Sequence, residues 1–183
     1  WPKSMRWGDG TLRWVRPLRA LLCMFNGQIL SCEVDGIKAG STTFGHRFMA
    51  PDSLTIDKAD DYLSKLEQAY VLADRARRLA LIQEKAEALA TDEGLVLVDD
   101  AGLLAEVAGL VEWPVPLMGQ IDDEFMDVPE EVLVSVMRTH QKYLALRDSE
   151  GQLAPRFITI ANIETADKGA KIIAGNERVL RAR

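Results

Sequence analysis

The side chains that could do chemistry are few and far apart. Only two histidines occur, His46 and His140, and the two cysteines, Cys23 and Cys32, lie in what reads as one hairpin. Neither histidine has a second ligand-type residue at the spacing a local zinc motif uses, so no metal site is expected. In Gly45-His46-Arg47-Phe48, His46 is expected to make a structural hydrogen bond, whereas Arg47 beside Phe48 could contact a phosphate and stack. Asp122-Asp123-Glu124 clusters three acids, but hard-cation loops space their ligands differently. Carboxylates there suit the positive end of a helix better. No glycine-rich phosphate loop is visible, nor a nucleophile with an adjacent base.

The charges are more informative than the single residues. The net charge is -6, yet residues 94–137 contain no Lys or Arg against ten Asp and Glu, while residues 138–183 carry nine basic and five acidic side chains. The first 47 residues are also basic, seven against three. Such a sign asymmetry suits a partner that carries charge on one face, nucleic acid included. Arg13, Arg16 and Arg19 recur every third residue around Trp14. A helix would place them on one face and a strand on alternating faces.

The elements that must position these groups read as follows. Leu18–Phe25 and Gln28–Val34 form two apolar runs joined by Asn26-Gly27, a dipeptide suited to a type I′ hairpin turn. Asp57 is placed as the N-cap of a helix with a stripe of Ala59, Tyr62, Leu63 and Leu66. Asp74 is placed as the cap of a second helix to about Thr91, its face formed by Leu79, Ile82, Ala86 and Leu89. Leu95–Val98 is a short strand, and Asp99 or Asp100 caps a short helix. Val115–Ile121 is a strand that its prolines start at an edge or after a bend. Pro129 opens a helix whose stripe of Leu133, Val136 and Met137 points His140 toward the core or its margin. Tyr143–Arg147 and Phe157–Ile163 pair antiparallel, and a last helix begins near Asp167.

This succession predicts an α+β fold, a mixed and largely antiparallel sheet with helices packed on it. Its parts are a hairpin and loop-rich segment at 1–56, a two-helix segment at 57–93, and an α/β part at 94–183 of the same globular unit. Two cysteines are too few for a disulfide framework, and no run approaches the roughly 18 apolar residues of a membrane span. A cytoplasmic protein is expected, and a start without Met suggests a piece of something longer.

Several separate motifs carry a resemblance. VEWPVPLMGQIDDEF, VPEEVL, MRTHQKYLAL and GNERVLRAR follow one another in order, after KSMRWGD, Arg16-Pro17 and GHRFMAP nearer the start. In this order they resemble the β subunit of the bacterial heterotetrameric glycyl-tRNA synthetase, over nearly the whole chain. One departure is visible: Leu144-Ala145 follow Tyr143 where that family commonly has Phe and Pro.

The resemblance implies a stretch ahead of the subunit's HD-like and anticodon-binding domains. It implies tRNA(Gly) and the α subunit as partners, with ATP used through the α subunit and no cofactor here. The implied role is non-catalytic, supporting aminoacylation by tRNA binding or by positioning neighbouring domains. Phosphate contacts would then carry most of the affinity, with Arg13, Arg16, Arg47, Arg138 and Lys142 as candidates. An alternative is an editing-like hydrolytic domain, because the layout is similar to the central domain of the phenylalanyl-tRNA synthetase β chain. His140, Asn162 and Glu164 would then position water. A third reading is a structural scaffold between subunits, with no RNA contact.

Overall fold

A computed structural model of the chain describes residues 3–182. Trp1, Pro2 and Arg183, the last residue of the GNERVLRAR motif, lie outside the described residues. Contacts divide the chain into two compact units, Trp1–Val71 and Leu72–Arg183. The division falls between the two helices of the 57–93 segment.

The first unit is built from short strands. β1 (Met5–Arg6) pairs antiparallel with β2 (Arg13–Trp14). β3 (Leu21–Leu22) is followed by β4 (Met24–Phe25) and β5 (Gln28–Ile29), which form the hairpin expected around Asn26-Gly27, both at positive φ. The long apolar runs nevertheless break up. β6 (Glu33–Val34) pairs with β7 (Ile37–Gly40), and β3 joins the other side of β7 in parallel. β8 (Thr42–Phe44) and β9 (Ser53–Thr55) form the last antiparallel pair, ahead of α1 (Tyr62–Gln68). Asp57 does not cap that helix. A 3-10 turn at Ala59–Asp61 intervenes, and the Asp57 carboxylate accepts from Lys65 Nζ at 3.1 Å instead. Buried residues in this unit are His46, Ile56, Leu66 and Ala69, a small core for so long a segment.

The second unit has a regular core. α2 (Arg75–Asp92) is capped by Asp74, whose carboxylate accepts from the backbone N–H groups of Ala76 and Arg77. β10 (Val96–Leu97) precedes α3 (Ala101–Ala108), capped by Asp100 through Leu103 N–H. Then come β11 (Val115–Gln120), α4 (Glu130–Val136), β12 (Leu144–Arg147), β13 (Leu153–Ala161) and α5 (Ala170–Arg181). The sheet order is β10-β12-β13-β11, every pair antiparallel, with the proline-bearing β11 at an edge, the first of the two placements its prolines allow. Period-two alternation sorts the side chains between two faces. Leu144, Leu146, Ala154 and Ile158 pack with Ile82, Ala86, Leu103 and Val107 of α2 and α3. Tyr143, Ala145, Leu153 and Phe157 pack with Leu133, Met137 and Leu180. The fold is therefore α+β, with helices on both faces of this sheet.

Helix α4 departs from expectation at both ends. Pro129 is its N-cap rather than its first helical residue. At the other end the chain widens into a π turn, Met137–Gln141, closed by Lys142 at φ +60°. The extra residue in that turn shifts the periodicity after the buried Met137, so His140 is exposed and does not face the core. A stripe running from Leu133 to His140 requires 3.6 residues per turn throughout, which the π turn interrupts.

Phe157 is the centre of the second face. Its ring stacks on Tyr143 with centroids 4.3 Å apart, and the Tyr143 hydroxyl donates to Asn176 Oδ1 at 2.7 Å. On the neighbouring strand a Cβ at Gly119 would lie 2.4 Å from Phe157 Cζ, so only glycine leaves room for the ring. Gly119→Ala is expected to cost about 1–3 kcal/mol, the usual penalty of overpacking a core, read as a lowered denaturation midpoint of the intact protein. Burial also pushes the Tyr143 phenol from 10.0 up to about 12. The folded state thus holds this proton more tightly than the unfolded chain, and the stability it contributes is complete below pH 10. That contribution should fall as pH rises from 10 through about 12. Tyr143→Phe should flatten this part of the stability profile.

Candidate nucleic-acid interface

The basic residues differ in what stands beside them. In the second unit Arg138 binds the Asp100 carboxylate, Nε to Oδ2 at 2.5 Å and Nη2 to Oδ1 at 3.3 Å. Lys142 Nζ lies 2.9 Å from Glu106. Arg147 pairs with Glu130, Arg156 with Glu93 and Arg181 with Asp122. The change of sign at Arg138 is thus met by acids of α3, and the guanidinium holds the Asp100 carboxyl below the usual carboxylate range despite some desolvation. Arg75 and Arg78 donate to backbone carbonyls at Ala105 and Ala108. In the first unit Lys65 forms an ion pair with Asp57.

The strands of the first unit place arginines without carboxylates. The register of β1 and β2 sets Arg6 directly opposite Arg13, both exposed and neither in an ion pair among the described residues. Directly opposed residues have Cβ atoms about 4.5–5.5 Å apart, and like charges there repel. Arg13 is therefore in a strand, and Arg16 beyond it donates to the carbonyl of Val15 at 3.1 Å. Arg6 did not stand out in the sequence, although it lies within KSMRWGD. Arg19 did so only as part of the three-residue recurrence.

A second arrangement surrounds His46. The loop between β8 and β9 has this imidazole at its centre, 2% exposed. Its Nδ1 accepts from the backbone N–H groups of Phe48 at 3.3 Å and Met49 at 3.2 Å. The His46 N–H donates to Ala69 O at 2.8 Å, and its carbonyl accepts from Ala50 N–H at 2.9 Å. Gly45 permits this approach, because a Cβ there would lie 2.5 Å from Ala69 Cβ. His46 is structural, as its setting in the sequence suggested. Its neighbours turn outward: Arg47 lies over the Phe48 ring, 5.6 Å from the centroid, and Phe48 is 71% exposed. Arg19, Phe44, Gly45, Arg47 and Pro51 line an open recess of about 460 Å³.

Of the hydrolytic candidates, Asn162 and Glu164 are engaged with the segment that enters β11. Asn162 Oδ1 accepts from the backbone N–H groups of Glu112 at 2.7 Å and Trp113 at 2.9 Å. Glu164 Oε1 accepts from the Trp113 indole at 2.8 Å. His140 is exposed at the π turn. Arg13, Arg16 and Arg47 lie in the first unit, Arg138 and Lys142 in the second. Among the described residues no group of three or more His, Cys, Asp or Glu could hold a metal ion, and no helix is long and apolar enough to cross a membrane.

The His46 arrangement is directly testable. His46→Ala removes the acceptor for two backbone N–H groups and is expected to cost about 1–3 kcal/mol. His46→Asn, whose side-chain oxygen can accept in a similar place, should recover part of it. Thermal denaturation together with the rate of tryptic cleavage at Arg47 reads both effects.

Comparison with known proteins gives the identity of the fold's sequence. Residues 1–183 match the family described as glycyl-tRNA synthetase beta subunit. The chain is similar to glycine–tRNA ligase beta subunits of Rhodospirillum centenum (52% identical, all of this chain, 29% of that protein) and Paracoccus denitrificans (51%, all of this chain, 27%). That of Phenylobacterium zucineum is 49% identical over all of this chain and 28% of that protein. The chain thus spans less than a third of the curated relatives it matches. Because the match extends over residues 1–183, the chain belongs to the glycyl-tRNA synthetase beta subunit family.

Proposed function

We propose that this region is a non-catalytic module of a glycine–tRNA ligase, and that its first unit contacts the tRNA backbone. The observation that supports this most is the Arg6–Arg13 cross-strand pair. Two like charges held opposite one another are unfavourable unless an anion shares them, and a nucleic-acid phosphate is such an anion. Arg16 and Arg47 extend the same basic segment. Arg138 and Lys142 would have to give up Asp100 and Glu106 to reach RNA, so their part is to fasten the end of the π turn to α3. In this reading the α subunit supplies the site that activates glycine with ATP, and tRNA(Gly) spans both subunits. The hydrolytic alternative has less support, because Asn162 and Glu164 are occupied in holding the Trp113 segment.

The test uses the full-length β subunit assembled with the α subunit, titrated with tRNA(Gly) at several salt concentrations. Each lost phosphate contact to duplex lowers the slope of log affinity against log salt by about 0.9. Arg6→Ala with Arg13→Ala should therefore lower it by about 1 to 2, while Arg138→Ala with Lys142→Ala leaves it unchanged and lowers thermal stability. An unaltered slope in the first double variant, or a large fall in the second, would overturn the assignment.

A further inference from the structure

The recess beside the His46 loop has a composition that the Arg6–Arg13 pair does not. One wall is Phe44, an aromatic ring 55% exposed at the end of β8, where the register sets it opposite Ser53. Arg19 and Arg47 supply two guanidinium groups, and among the described residues neither is in an ion pair and no acidic side chain lines the recess. Pro51 and Gly45 complete it, and Arg47 itself rests on the exposed Phe48 ring. Its volume of about 460 Å³ lies within the range of sites that enclose compact ligands. Cation and π-face side by side are what proteins present to unpaired nucleotides: the guanidinium takes the phosphate and the ring takes the base. A base-paired helix keeps its bases stacked on each other and cannot offer one to Phe44.

The loop is also fixed before any ligand arrives. The buried imidazole ties Phe48 and Met49 N–H to one atom, and the backbone of His46 is anchored to Ala69. Arg47 and Phe44 thus leave from a rigid base, which reduces the ordering cost of binding.

We infer that Arg19, Phe44 and Arg47 form a subsite for one unpaired nucleotide of the tRNA, with Phe48 supporting the Arg47 guanidinium. This rests on the tRNA-binding reading above and adds to it: Arg6 and Arg13 hold backbone phosphates of any conformation, whereas this recess selects single-stranded RNA. His46 is a positioning residue for it.

The experiment again uses the assembled full-length protein, with three probes: tRNA(Gly), a twelve-nucleotide unstructured RNA, and a blunt RNA duplex with the same number of phosphates. Loss of one base–aromatic stack corresponds to roughly tenfold in affinity. Phe44→Ala should therefore weaken the single-stranded probe by about tenfold and the duplex by less than twofold, whereas Phe44→Tyr retains binding. Arg19→Ala with Arg47→Ala should lower the salt slope for the single strand by about 0.7 if both guanidinium groups share one phosphate and by about 1.4 if each takes a flanking one. Phe44 is largely exposed, so the variant is expected to melt with the parent protein, and Phe48→Ala provides an independent substitution in the same place. Equal loss on both probes, or no loss on the single strand while Arg6→Ala with Arg13→Ala still weakens tRNA, would overturn the subsite and leave the broader reading intact. Absence of any effect from either set would overturn both.

Discussion

Whether an arginine has a carboxylate beside it decides what it can do next, and this chain divides along that line. In Leu72–Arg183 the acids of α3, α4 and the turn after β11 are set against Arg138, Lys142, Arg147 and Arg181, so the excess of acid in the middle of the sequence and the excess of base after it cancel locally. Partly exposed pairs of this kind contribute little to stability individually. Their consequence is for recognition, since a polyanion would have to compete with a carboxylate already in place. In Trp1–Val71 the arginines of β1 and β2 oppose one another, and their mutual repulsion is relieved by whatever anion approaches.

The two units differ in the same way in their packing. The four-stranded sheet of the second unit carries apolar layers on both faces, and at its centre Gly119 leaves room for Phe157, Phe157 stacks on Tyr143, and Tyr143 bonds to Asn176 in α5. These contacts constrain one another, which suits a rigid support. The first unit has few buried side chains and relies on backbone pairing and on one buried imidazole. A surface of short strands with a fixed loop leaves many side chains available to a partner, at the expense of a core.

Much of the second unit was legible in the sequence because its signals are local. Asp74 and Asp100 cap their helices, prolines limit β11 to an edge or a bend, and the continuous apolar run Tyr143–Leu146 marks a strand buried on both faces. What could not be read there were departures from regular period. The π turn that exposes His140 and the left-handed Lys142 leave no mark in a stripe of apolar residues. The first unit was harder. Its Leu18–Val34 apolar runs look like two long strands, yet β3 leaves its hairpin neighbour to pair in parallel with β7, a choice set by contacts distant in sequence. The charge type of a basic residue carries no information about its neighbours. The Arg6–Arg13 opposition depends on register across a loop, and the ion pairs of Arg138 and Lys142 on the placement of α3. The hydrogen bonds that the His46 imidazole accepts from Phe48 and Met49 are local, and its role is correspondingly readable, whereas its backbone bond to Ala69 is not.

The most direct measurement is hydrogen exchange on the assembled full-length protein with and without tRNA(Gly). Protection is expected in the backbone amides of residues 5–19 and 44–51, with those of 137–142 unchanged. Protection at 137–142 with none in the first unit would contradict the assignment and return the interface to the end of the π turn.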